Sequence, residues 1–206
     1  MANDADKRGA TAKDPESTRG RILDAALNVF SNKGFHDASV DEIVEQSSTS
    51  KGSVYFHFPS KQTLFLALVD KFADLLERRV KEAIEGESEG ISRVDIALTT
   101  TLQTFNQYRP LAKVMLVQAM GLGAIFEQKM MEVHTRFSNL IKIYLDEAIA
   151  TGDIEPIDTG VVSRAWMGAI NENVIHWVYS GEPTPERIMT TLRPMLLRSV
   201  GVKEHA

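Results

Sequence analysis

Beyond residue 15 the apolar positions of this chain recur every three or four residues, the spacing of one buried helix face. Asp14-Pro15-Glu16 is a helix start, with a capping acid, proline at the first helical position and another acid in the first turn. Ile22, Ala26, Val29 and Phe30 then form the buried stripe. Gly34 supplies a left-handed stop, and Phe35 the apolar contact that folds back onto the helix. Ser39-Val40-Asp41-Glu42 is a capping box opening a short second helix, buried through Val40, Ile43 and Val44. Ser47-Ser48-Thr49-Ser50 favours a turn through side-chain to backbone bonds. Ser50 caps a third helix running from Lys51 to His57, which Pro59 ends. Ser60 caps a fourth, at about 61–83.

The polar, glycine-containing stretch 85–90 reads as a loop. Further helices are predicted near 92–107, 110–121, 124–151, 158–180 and 184–200, with breaks at Tyr108-Arg109-Pro110, Gly121-Leu122-Gly123, Thr151-Gly152-Asp153 and Ser180-Gly181-Glu182-Pro183. Strand-like alternation and internal repeats are absent. The predicted fold is all-α: a disordered tail over 1–14, a three-helix head over 15–60 and a larger helical body over 61–206.

Two short helices joined by a turn of about four residues and braced by a third make a helix-turn-helix, whose second helix is built to enter the major groove. On that helix Val54 and Phe58 lie four apart and face the core, while Lys51 and Tyr55 share an outer face. Gly52 lets the backbone come close to a duplex, and Ser53 and His57 offer short polar reach. Ser39 is a cap first and a phosphate contact only as a second role. The net charge of −5 changes the picture in one respect. Residues 16–62 carry five Lys/Arg against six Asp/Glu, so the head is no basic patch and must bind through a few placed donors.

The stretch Ser50-Lys51-Gly52-Ser53-Val54-Tyr55-Phe56-His57-Phe58-Pro59-Ser60-Lys61 resembles the signature of TetR-family repressors. So do Ser39 to Val44 before it, and Ala26, Phe30, Gly34 and Phe35 upstream. The resemblance implies an all-helical homodimer with a variable ligand pocket in the body. It implies contacts to operator DNA from Ser50, Lys51, Gly52, Ser53, Tyr55 and His57, with Lys61 on a phosphate. One position departs: Ser48 stands in the turn where the family has glycine, so backbone strain or an altered turn is expected there.

In the body, helix 124–151 carries an apolar stripe that includes Phe126, Met130, Val133 and Phe137. Helix 158–180 is apolar almost all round, through Trp166, Ile170 and Trp177 among others, and must be buried on several sides. With helix 184–200 it is expected to form the homodimer interface. Polar residues inside these stretches need a partner, so the predicted ligand contacts are Gln118, His134, Asn171 and Asn173 with Phe126, Met130, Phe137, Trp166 and Ile170. Glu172 and His176, four apart, read as an ion pair or interface bond rather than metal ligands. Gly168 to Glu172 followed by Trp177 is similar to the body of TetR-type regulators of fatty-acid metabolism, which sense acyl-coenzyme A.

There is no cysteine, no span long enough to cross a bilayer and no apolar core of a signal peptide near the N-terminus, so a cytoplasmic location is expected. Histidines at 36, 57, 134, 176 and 205 are scattered, without a nucleophile elbow, phosphate loop or metal motif. No catalytic residue, metal or cofactor is predicted. The expected function is a transcriptional repressor bound to near-palindromic DNA and released by a small hydrophobic effector. A helical ligand carrier or interaction scaffold that does not bind DNA is the competing reading.

Overall fold

The computed structural model describes residues 15–87, 90–118 and 122–202. The predicted tail 1–14 and the end of the helix predicted over 110–121 lie outside the described residues. The fold is all-α, a helix-turn-helix head on a helical body: α1 (Pro15–Asp37), α2 (Val40–Ser47), α3 (Lys51–His57), α4 (Lys61–Ile84), α5 (Gly90–Gln107), α6 (Arg109–Lys113), a π-helical turn (Val114–Gln118), α7 (Ala124–Thr151), α8 (Thr159–Ser180) and α9 (Pro185–Ser199).

The caps read from the sequence set the head. Ser39 Oγ accepts from Glu42 N at 3.2 Å while Ser39 N donates to the Glu42 carboxylate at 3.1 Å. Ser50 and Ser60 open α3 and α4 in the same manner, accepting from Ser53 N and Thr63 N. Ser48 takes the left-handed conformation, φ 51° and ψ 42°, and its N–H closes onto Glu45 O at 3.2 Å. A residue that carries a Cβ thus holds a conformation that favours glycine, and the strain is local to this turn. Gly34 breaks α1 with φ 82°, and one more helical turn follows through Asp37.

One expectation in the body changes. The helix expected over 110–121 is a five-residue α6 that widens into the π turn, and Val114, Met115 and Leu116 of that turn are all buried. In the single chain helix α8 buries one side and leaves open the side expected in the dimer interface. Trp166, Ile170, Val174 and Trp177 face the core, while Val161, Ala165, Gly168 and Tyr179 are exposed. The body is tied across its helices by polar contacts: Arg193 of α9 forks onto Asp95 of α5, and Trp166 Nε1 donates to Ser199 Oγ at 3.1 Å. Among the described residues no helix is long and apolar enough to cross a membrane.

Candidate nucleic-acid interface and body cavity

Helix α3 turns Val54 and Phe58 into the core at 1% and 4% exposure, as predicted. Lys51, Gly52 and Tyr55 are exposed, and Ser53 and His57 half-buried. Ser39 and Ser50 each spend a lone pair as a cap, which leaves the hydroxyl proton to be given elsewhere. Lys51 sits 2.7 Å from Asp41 of α2, whose hydrogen bond holds the amine above the ordinary lysine range. A phosphate reaching Lys51 would therefore replace one anion with another. Glu42 pairs with Lys33 of α1, and that hydrogen bond together with the cap lowers its carboxyl.

Lys61 is used differently from the expectation. Its ammonium donates to three main-chain carbonyls, Phe35 O at 2.7 Å, Ala38 O at 2.9 Å and His36 O at 3.1 Å, and lies 4.6 Å from the centre of the Phe35 ring. Two of these acceptors belong to the last turn of α1 and the third, Ala38, to the link before α2, so Lys61 ties the start of α4 to the head. Replacing Lys61 with methionine is expected to lower stability by about 2 kcal/mol. DNA affinity should fall while the slope of log K against log salt stays unchanged. A phosphate ligand would instead lower that slope by about 1.

Sequence reading gave no role to Arg21 or Phe56. The Arg21 Nε is buried without a hydrogen-bond partner beside a groove shared with Ser48, Thr49, Ser50 and His57. Phe56 stands 82% exposed next to Tyr55.

The body encloses an apolar cavity of about 50 Å³. Helix α4 contributes Leu76 and Val80, α5 Val94, Leu98 and Phe105, and the π turn Met115 and Leu116. Helix α7 adds Val133, His134, Phe137 and Tyr144, and α8 adds Trp166 and Ile170. Four of the predicted ligand contacts, His134, Phe137, Trp166 and Ile170, line this cavity. The side chain of Gln118 lies outside the described residues. Met130 packs at the edge of the core and is not in the wall. Asn173 is spent on Ala169 O at 2.8 Å, one turn back on its own helix, and Asn171, with a buried, unpartnered Oδ1, is not in the cavity wall. Glu172 and His176 make an exposed pair at 3.1 Å.

Phe126 also lies elsewhere. Its ring is 5.3 Å from both Phe35 and Phe65, edge to face, and is 1% exposed. It closes the joint between head and body instead of lining the cavity. The α4 and α5 walls were hidden from sequence reading because an apolar helix face does not disclose which neighbour it covers.

His134 is half-buried, its Nε2 is shielded from solvent without a partner, and burial lowers its pKa. Burial disfavours the charged ring in the fold, whereas the unfolded chain protonates near the ordinary 6.5. Unfolding therefore takes up a proton at low pH. This contribution to stability is full above about pH 6.5 and is lost as pH falls below it. Thermal unfolding followed from pH 8 to 5 should show that limb, and His134→Leu should flatten it.

Residues 22–68 match the family described as bacterial regulatory proteins, tetR family. The chain is 31% identical over 153 residues to the HTH-type transcriptional regulator UidR of Escherichia coli K12, covering 72% of this chain and 76% of that one. The chain belongs to the TetR family. TetR-family relatives include the fatty acid metabolism regulator protein of Bacillus subtilis, 24% identical over 164 residues, 79% of this chain and 84% of that protein. The crystal structure of the transcriptional regulator FadR from Bacillus subtilis in complex with stearoyl-CoA superposes with a TM-score of 0.77 at 22% identity, over 86% of this chain and 96% of that one. As a TetR-family member the chain is a transcriptional regulator with a DNA-binding head and a ligand-binding body, not an enzyme.

Proposed function

We propose that this regulator represses transcription as a cytoplasmic homodimer on near-palindromic operator DNA and is released by an elongated hydrophobic effector, with long-chain acyl-coenzyme A as the leading class. Residues 15–60 act as the DNA-binding head and 61–206 as the ligand-binding and dimerisation body. The carrying observation is the apolar cavity, walled in part by α4 and the π turn, which are packed against α1 of the head. The Bacillus FadR with stearoyl-CoA supports the effector class.

Two heads would occupy successive major grooves about 34 Å apart. The dimer would form through the exposed face of α8 (Val161, Ala165, Gly168, Tyr179) with Met195 of α9. In each head Ser50, Lys51, Gly52, Ser53, Tyr55 and His57 meet the duplex, with Ser39 as a cap that can also give its hydroxyl proton to a phosphate. In the body His134, Phe137, Trp166 and Ile170 meet the effector.

At about 50 Å³ the cavity as it stands has room for only a few waters and is too small for a long acyl chain. Entry of ligand must part the surrounding helices. Helix α4 is strapped to α7 by Lys129 on Asp70 and by Arg136 on Asp74 and Glu77. Helix α6 holds α1 through Lys113 on Ser31 O, and α8 through Arg109 on Trp177 O. Widening the cavity thus tilts the elements on which the head rests. The ligand shifts DNA binding only by favouring one of the two states.

The test begins by selecting binding sites from random duplex DNA with the purified full chain, then titrating operator complexes with acyl-coenzyme A of increasing chain length. Expected results are a near-palindromic site, a dimer mass on sedimentation and release that strengthens with chain length, by about 0.8 kcal/mol per buried methylene. Equal effector affinity of free and operator-bound protein would refute the release mechanism. Absence of any enriched sequence would favour the carrier reading.

A further inference from the structure

The recognition helix carries an apolar group that the polar contacts leave unexplained. At about 100° per residue, positions 52 and 56 lie on the side of α3 opposite Val54, which is 1% exposed. Phe56 is 82% exposed, the most exposed large apolar side chain among the described residues. One turn back on the same face stands Gly52, where an added Cβ would find only Ser50 Oγ, at 3.9 Å. The ring therefore projects from a bare stretch of helix. On its far side the His57 ring meets it edge-on, with centroids 5.2 Å apart and planes at 81°, which restricts its swing.

This face is also the centre of the surface that a helix-turn-helix presents to the major groove, with Lys51 and Tyr55 to one side and Ser53 and His57 to the other. A phenyl ring cannot donate to a phosphate as Tyr55 can, and it offers no hydrogen bond to a base edge. The major groove displays one apolar group, the 5-methyl of thymine.

We infer that Phe56 is the specificity-determining apolar contact of the recognition helix and reads the 5-methyl group of one thymine in each operator half-site. Gly52 lets the helix sink far enough for the ring to reach the methyl, and His57 positions the ring in addition to any contact of its own. The inference rests on the DNA-binding reading above and is separable from it.

The experiment uses the full-length dimer and the operator obtained by selection. Each thymine of the half-site is replaced in turn by deoxyuridine, symmetrically in both halves, and affinity is measured at fixed salt for the wild-type chain, Phe56→Ala and Phe56→Leu. One thymine should stand out, its loss of methyl weakening wild-type binding by about four-fold per half-site. Phe56→Ala should be indifferent to that same replacement, and Phe56→Leu should keep part of the sensitivity. Non-specific binding and the salt dependence should be alike in all three, because no phosphate contact is changed. Thermal unfolding should match as well, since the side chain lies outside the core.

If wild-type binding ignores every thymine-to-deoxyuridine change, or if Phe56→Ala keeps the sensitivity, the inference is wrong while DNA binding stands. If selection enriches no site at all, the DNA-binding reading itself fails, and this inference with it.

Discussion

Truncating Phe126 to alanine is expected to lower the stability of the folded chain by about 3–5 kcal/mol, a large share of the whole stability of an ordinary domain. The ring is 1% exposed and meets Phe35 and Phe65 at 5.3 Å each, and those two meet each other at 5.3 Å. Phe30 extends the cluster from α1, 5.3 Å from Phe65. Three parts of the chain converge there: the end of the head, the start of α4 and the first turn of α7. Removing one ring leaves a void that edge-to-face neighbours cannot fill without swinging out of their own contacts. Denaturant unfolding measures the loss. Phe126→Leu, which keeps most of the volume, should recover much of it. A second consequence is functional. With the joint loosened, effector should still enter the cavity but should release DNA less sharply, because α7 no longer grips the head. Were Phe126 a ligand contact as well, effector affinity would fall along with stability.

Around this joint some features are legible in sequence and others are not. Caps are local chemistry, so Ser39, Ser50 and Ser60 and the helices they open are visible in a handful of consecutive residues. Ser48 likewise shows as the residue in the left-handed turn, because only neighbouring backbone decides it. Phe126 looks the same in sequence as Phe137, three turns further along one apolar stripe. Its partners lie 91 and 61 positions earlier, and only packing separates a joint residue from a cavity wall. Lys61 deceived for the opposite reason. Its place in the motif is unmistakable, yet what a lysine touches depends on the carbonyls within reach, and the stretch from Phe35 to Ala38 supplies three. The π turn left no trace at all, since Val114 to Gln118 carries an ordinary helical pattern. The polar residues chosen as ligand contacts fared unevenly because a buried amide can satisfy itself within its helix, as Asn173 does, whereas the imidazole of His134 finds nothing at Nε2.

Gly90→Ala is the second large effect, and its cause is steric. A Cβ built there would come 2.7 Å from Ala148 Cα and 2.9 Å from Ala148 N, with Asp153 Oδ2 at 3.1 Å. The first two atoms are main chain of α7 and cannot rotate away, so the start of α5 must move off α7. We expect a loss of about 3 kcal/mol, at the upper end for overpacking because the obstacle is backbone. Ala148→Gly should not rescue it, since deleting the alanine methyl leaves both obstructing atoms in place. Gly20→Ala is the matched control: no atom lies within 4 Å of its added Cβ, and the change should be neutral or stabilising by up to about 1 kcal/mol. The displacement also reaches the function. Asp153 accepts from Ile91 N at 3.2 Å and so anchors the first turn of α5, whose later residues Val94, Leu98 and Phe105 face Val133 and Phe137 of α7 across the cavity. Shifting one wall against the other should weaken effector binding at least ten-fold in a direct titration, while the isolated head contacts, read as affinity for non-specific DNA, stay within two-fold (orders of magnitude set by about 1.4 kcal/mol per decade). A variant that lost stability yet bound effector normally would show that the α5–α7 crossing holds the body together without shaping its cavity.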